Sequence, residues 1–186
     1  MVNLVTIDDT RYLVDVGLGA NGPCRPLPLI SDHELPGIGS QLLKLQYKAL
    51  AQHSDSKQRM WVYCHRESDS APWLDAYAFT EVEFFAGDFQ VLNLATMTLR
   101  QSLFTQSVIC IKFLLNRETF EMEGVMILFN DEVKTKVGGV QLSVEKFFTE
   151  EERTQALEHH FGIKLTEEER GGIVGLRSEL RGWKKP

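Results

Sequence analysis

At 186 residues, 43% hydrophobic and 25% charged, the chain is long enough for one domain of ordinary size or two small ones with a sizeable core. Its formal net charge of -6 excludes sequence-independent nucleic-acid binding, which needs a basic surface to neutralise phosphates. Three cysteines, Cys24, Cys64 and Cys110, stand at wide spacing with no C-x-x-C and no paired-histidine motif, so neither a disulfide framework nor a zinc site is signalled.

Apolar-rich strands over residues 2–7 and 12–16 flank the polar run Asp8-Asp9-Thr10-Arg11, which reads as a β-hairpin. Asp15 sits in the second of these among Leu13, Val14 and Val16. A carboxylate buried there without partners costs several kcal/mol, so it must be exposed, hydrogen-bonded or orienting a base. Gly17-Leu18-Gly19 follows and lets backbone come close to whatever Asp15 serves. Taken alone, this is equally an Asp at a strand end bonding its own glycine turn.

Residues 22–39 carry Pro23, Pro26, Pro28 and Pro36 with Gly22, Gly37 and Gly39, and read as an irregular surface loop. Strands are expected over 43–49, where Leu43, Leu45 and Tyr47 alternate, and over 59–65 and 74–80. Cys64 and His65 are neighbours on one of these and point to opposite faces, so they cannot form a dyad. The spacing of Phe84, Phe85, Phe89, Leu92, Leu94 and Ala95 predicts a connecting helix. Strands follow over 103–115, 119–129 and 132–137, with turns at Asn116-Arg117 and Asn130-Asp131. Thr149-Glu150-Glu151-Glu152 is a capping box and Gly162 a C-cap, which predicts a helix over 149–161. His159 and His160 fall in its last turn, where cations complement the helix dipole.

The order of elements predicts an α+β fold: a small antiparallel β-barrel domain over 1–83, a connecting helix over 84–97, and an α/β lid domain over 98–186 with three or more antiparallel strands and a C-terminal helix. No internal repeat or low-complexity tract is expected. The longest apolar run, 108–115, is interrupted by Lys112 and is too short for a membrane span. Met1 opens strand-like sequence, not a signal peptide. With unpaired cysteines, this predicts a soluble cytoplasmic protein without membrane or nucleic-acid partners.

Residues 14–19, V-D-V-G-L-G, resemble the third catalytic block of the arylamine N-acetyltransferases, which reads roughly V-D-V/A-G-F-G. The resemblance continues through Asn93-Leu94-Ala95-Thr96-Met97, Ser102-Leu103-Phe104-Thr105 and Phe148-Thr149-Glu150-Glu151-Glu152. It implies that Asp15 completes a Cys-His-Asp triad, orienting the histidine beside a thiolate that takes acetyl from acetyl-CoA and passes it to an arylamine or hydrazine nitrogen. Such chemistry serves xenobiotic metabolism and needs no metal. The family histidine aligns just before Met1 and the cysteine further upstream, so the chain resembles the C-terminal two-thirds of such an enzyme and is expected to be inactive alone.

The same resemblance implies that coenzyme A lies between barrel and lid. The amides of Gly17 and Gly19 are candidates for its pyrophosphate, and the hydroxyls of Ser102 and Thr105 for further contacts. Leu18 stands where the family generally has Phe, at a position lining the acceptor pocket, and removes a stacking ring. Two other readings compete: a non-catalytic module that holds coenzyme A or a partner, and a thiol hydrolase sharing the triad layout.

Overall fold

The computed structural model describes residues 1–182. These divide into two compact units, the first made of Met1–Phe84, Leu114–Gly124 and Val137–Val140, the second of Phe85–Phe113, Val125–Lys136 and the chain from Gln141 on.

In the first unit, β1 (Asn3–Ile7) and β2 (Thr10–Val14) form the expected hairpin, with Ile7 opposite Thr10. Asp8 and Asp9 both adopt positive φ, 47° and 62°, as a two-residue turn matched to strand twist requires and Asp tolerates. The proline-rich loop contributes two short strands, β3 (Leu27–Pro28) and β4 (Leu35–Pro36). Each lies at a sheet edge, where a missing N–H breaks no ladder. β5 (Leu42–Lys48), β6 (Met60–Arg66) and β7 (Leu74–Phe79) complete the set.

Hydrogen bonding gathers these strands into two sheets, β1-β2-β3 and β4-β5-β6-β7, and does not close them into the expected barrel. Closure needs one continuous ladder, and between the sheets there is only an isolated bridge from Ser31 to Leu45. One core nonetheless serves both: Leu13 and Leu27 pack with Leu43, Leu45, Trp61, Tyr63 and Phe79. Trp61, Tyr63 and His65 share one face of β6, and Val62 and Cys64 the other, as a period of two dictates.

Across β6, Tyr63 pairs with Tyr77, but Cys64 pairs with Asp75, so an extra residue is bulged out of β7. The bulge moves Asp75 off the face that Tyr77 occupies and onto that of Cys64. Gly39 of this unit, at φ 60°, lies so near Gly138 that a Cβ would come within 2.9 Å of its Cα.

The second unit opens with α1 (Ala86–Thr98), where the connecting helix was predicted, then α2 (Leu103–Gln106), which occupies the start of the strand expected over 103–115. The apolar side chains of α1 do not define a buried face; Val91, Leu92, Leu94 and Met97 are all exposed. A four-stranded sheet follows in the order β11-β10-β9-β8, built from β8 (Ile109–Leu115), β9 (Met122–Phe129), β10 (Glu132–Val137) and β11 (Val140–Lys146), its distal turns counted with the first unit. β11 was not among the predicted strands, although the strict alternation of Val140, Leu142 and Val144 with polar residues carries the period of two.

The capping box at Thr149 is closed in both directions: Thr149 Oγ1 accepts from the Glu152 amide at 3.2 Å, and Glu152 accepts from the Thr149 amide at 3.1 Å. α3 (Glu150–Ala156) passes into a wider π turn at Leu157–Phe161, which ends at Gly162 with φ 72°, the left-handed cap expected there. The pentapeptide Thr-Glu-Glu-Glu-Arg recurs at 166–170, a short repeat that the sequence reading did not pick out, and it opens α4 (Glu167–Gly171) with a second closed box. Arg153 is 2% exposed yet fully engaged. Its guanidinium is held by Glu150 and donates to the carbonyls of Asn130 and Ser178, each at 3.0 Å.

Among the described residues no helix is long and apolar enough to cross a membrane, and no group of three or more His, Cys, Asp or Glu could hold a metal ion.

Candidate functional site

Leu13 points into the first unit's core, and a period of two carries Asp15, just past the end of β2, to the same side. Its side chain is 8% exposed and does not stand alone. Oδ2 accepts from the Tyr77 hydroxyl at 2.6 Å, and Oδ1 accepts from the Gly17 amide at 2.8 Å. Each carboxylate oxygen has two acceptor directions, so each keeps one free after these bonds. Burial, then the hydrogen bond to Asp15, pushes the Tyr77 phenol well above its ordinary value, and Tyr77 stays a donor across the working range of pH.

Gly17 has a second reason to lack a side chain: a Cβ there would stand 3.3 Å from Asp15 Oδ1. The loop then folds into a short 3-10 turn over Gly19–Asn21, opened by Gly19 at φ 72° and closed by the Gly22 amide on the Gly19 carbonyl at 2.9 Å. The Tyr63 hydroxyl anchors that turn by donating to the Asn21 carbonyl at 3.0 Å. Tyr63 and Tyr77 lie with ring centroids 5.3 Å apart, so one aromatic pair supports both the carboxylate and the loop after it. Leu18, 41% exposed, presents its side chain outward beside Asp15, as does Val16.

The amide of Gly17 is thus taken by Asp15. Thr105 donates to the carbonyls of Leu99 at 3.0 Å and Ser102 at 3.1 Å, which ties its hydroxyl to its own turn, while the Ser102 hydroxyl has no partner among the described residues. Both lie in the second unit. Tyr63 and Tyr77 were missed by the sequence reading. The available clue was a period of two in strands far along the chain, which says which face they occupy but not which loop they meet.

Cys64 is fully buried and donates to Asp75 at 3.3 Å; burial, aided by that carboxylate, pushes its thiol up to about 12. His65 turns the other way and stacks on Tyr63 at 6.1 Å. Burial also raises Cys110. Both shifts favour the protonated thiol over the thiolate.

A family model described as N-acetyltransferase matches residues 1–170. The chain is 36% identical over 181 residues to the N-malonyltransferase FDB2 of Fusarium pseudograminearum, covering 93% of this chain and 53% of that protein. It is 34% identical over 180 residues to the FDB2 protein of Gibberella moniliformis, covering 93% and 52%. Among solved structures it superimposes on the arylamine N-acetyltransferase of Salmonella typhimurium with a TM-score of 0.74 at 19% identity, covering 92% of this chain and 59% of that one. The Mycobacterium marinum arylamine N-acetyltransferase, solved in complex with CoA, gives 0.69 at 19% identity, covering 96% and 57%. The chain belongs to the arylamine N-acetyltransferase family. It spans about half the length of the curated relatives it matches.

Proposed function

We propose that these residues form the carboxylate-bearing part of an acyltransferase that moves an acyl group from a coenzyme A thioester to an arylamine or hydrazine nitrogen. The observation that carries this reading is the state of Asp15. It is buried, pinned by Tyr77 and Gly17, and left with one free acceptor direction on each oxygen, which suits it to receive and orient an imidazole N–H. In this proposal the imidazole and thiolate come from the part of such a protein that these 186 residues do not match.

The thiolate attacks the thioester carbonyl and coenzyme A leaves as its thiol, taking a proton from the imidazolium. The amine then attacks the acyl-cysteine, the imidazole accepts the amine's proton, and the thiolate is released. Asp15 bonds to neither substrate; it fixes the imidazole tautomer and stabilises the cation. The acyl group is acetyl by the family's name, and malonyl by the names of the FDB2 relatives. Leu18, exposed beside Asp15, is the side chain proposed to meet the acceptor.

The test uses the gene product as the organism makes it, assayed with acetyl-CoA and malonyl-CoA on a panel of arylamines. Asp15→Asn preserves shape but presents the wrong hydrogen-bonding partner to the imidazole, so turnover should fall by about 10⁴. The pH profile of iodoacetamide alkylation should shift upward with it. If both stay unchanged while the fold is intact, Asp15 is structural and the reading fails.

A further inference from the structure

The Tyr63 hydroxyl takes no part in the acyl-transfer steps, yet it is tied to the loop that carries Leu18. β6 is an interior strand of its sheet and pairs on both sides, with Leu45 and Tyr77 opposite Tyr63. The Tyr63 side chain is fully buried, and burial pushes its phenol well above the ordinary value, so the hydroxyl remains a donor. Its acceptor is the carbonyl of Asn21, 3.0 Å away, at the far end of the loop that begins after Asp15.

The near end of that loop is held through Asp15, which accepts from Tyr77 and from the Gly17 amide. The far end is held by Tyr63, and among the described residues no other hydrogen bond reaches residues 18–22 from outside the loop. Leu18 lies between the two attachments, as the residue that opens the 3-10 turn over Gly19–Asn21. Gly22, which closes the turn, packs against it: a Cβ on Gly22 would stand 3.2 Å from Leu18 Cβ and 3.2 Å from the Gly19 carbonyl oxygen. The φ of Gly22 is −79°, open to any residue, so contact with Leu18 and Gly19 keeps this position small, not backbone conformation.

We infer that Tyr63 is a positioning residue for the acceptor, fixing through Asn21 where Leu18 stands relative to Asp15, and so setting the preference among amines. This rests on the acyl-transfer reading above, in which Leu18 meets the acceptor. A three-residue turn closed by a single hydrogen bond has little rigidity of its own, so the side chain that opens it is placed only as well as the turn is tied to a fixed strand. Leu18 is exposed and three residues beyond Asp15. A shift of the turn therefore moves an apolar surface beside the carboxylate and leaves the carboxylate's own donors, Tyr77 and Gly17, in place. The effect is selective: an arylamine brings a ring to pack on Leu18, whereas hydrazine has none. Capture of the amine should respond to Tyr63, and formation of the acyl-cysteine should not.

The experiment uses the gene product as the organism makes it, with the best arylamine of the panel as the ring-bearing acceptor and hydrazine as the ringless one. The donor is acetyl-CoA or malonyl-CoA, whichever the parent turns over. Tyr63→Phe keeps the ring against Tyr77 and removes only the bond to Asn21. It should lower kcat/KM for the arylamine about threefold to tenfold, and leave both kcat/KM for hydrazine and the burst of CoA released without acceptor unchanged. Gly22→Ala, which displaces Leu18 with the Tyr63 bond in place, should also lower the arylamine value selectively. In a Leu18→Ala background Tyr63→Phe should have no further effect, since the two act through one contact. An unfolding curve on each variant verifies the fold. An arylamine value that Tyr63→Phe leaves unchanged overturns the inference, as does equal loss with both acceptors or an additive loss in the Leu18→Ala background. If Leu18→Ala itself leaves the arylamine value unchanged, the placing of Leu18 at the acceptor fails and takes the inference with it. If the parent releases no CoA from either donor, or acylates no arylamine, the acyl-transfer reading fails first.

Discussion

The two tyrosines at Asp15 do different work, and their removal separates it. Tyr77→Phe strips one donor from a buried carboxylate, which should cost about 1–3 kcal/mol. Tyr63→Phe removes a bond between neutral groups, from its hydroxyl to the Asn21 carbonyl, and should cost about 0.5–1.5 kcal/mol. Urea unfolding of the two variants gives the comparison; a Tyr77→Phe no less stable than Tyr63→Phe would mean that Asp15 does not depend on its phenol partner. The carboxylate itself was legible in the sequence, because an acidic residue in an apolar strand before two glycines is anomalous at short range. Its partner was not: sixty-two residues separate Tyr77 from Asp15, and only the register of β6 with β7 brings it there.

At the level of elements, several features set by a few adjacent side chains were read correctly, although β11 and α2 were not, and closure that depends on distant partners was not read either. The hairpin turn, the capped helix and its left-handed end follow from a few adjacent side chains. Closure of the first unit into a barrel does not, since it turns on whether two remote edges pair, and here they meet only at one bridge. α1 shows a related limit. Apolar residues at helical spacing located it, yet its exposed side chains show that spacing alone does not identify a buried face. Arg153 gives a sharper case, because it went unremarked in the sequence, yet it is enclosed and ties α3 to the turn after β9 and to the segment around Ser178. Arg153→Met should cost about 3–5 kcal/mol, since it leaves two carbonyls without their donor and Glu150 without its cation. A change within 1 kcal/mol in urea unfolding would show the cluster to be replaceable by apolar packing.

For the whole molecule, the ionic surface sets an acid limit. Gln46 and Lys44 hold Asp32 below its ordinary range, Lys48 does the same for Asp75, and the Trp61 indole with Arg11 does so for Glu81. Each is depressed on folding, so the stabilisation is complete above the ordinary values of 3.8 for Asp and 4.5 for Glu and disappears as pH falls through the lower folded values. The urea midpoint should be flat above about pH 5 and decline steadily toward about pH 2. Asp32→Asn combined with Asp75→Asn should flatten that decline. A midpoint unchanged from pH 5 to pH 3 would show that these contacts do not differ between the folded and unfolded chain.

The repeated Thr-Glu-Glu-Glu-Arg places one local sequence in two settings within a single molecule. Both copies close their boxes alike, with Thr166 Oγ1 accepting from Glu169 at 3.3 Å as Thr149 Oγ1 does from Glu152 at 3.2 Å, but Arg153 is enclosed and Arg170 is open to solvent. Intrinsic preference therefore cancels over the five shared residues, beyond which one copy continues as Thr154-Gln155-Ala156 and the other meets Gly171 and Gly172, so Arg153 against Arg170 is the comparison that reads tertiary anchoring most directly. Deuterium uptake should be slow at the amides of Leu157 and Arg153 and fast at those of Arg170 and Gly172, although the same five residues nucleate both helices. Equal uptake would mean that a helix this short owes its persistence to its cap, wherever in the fold it is placed.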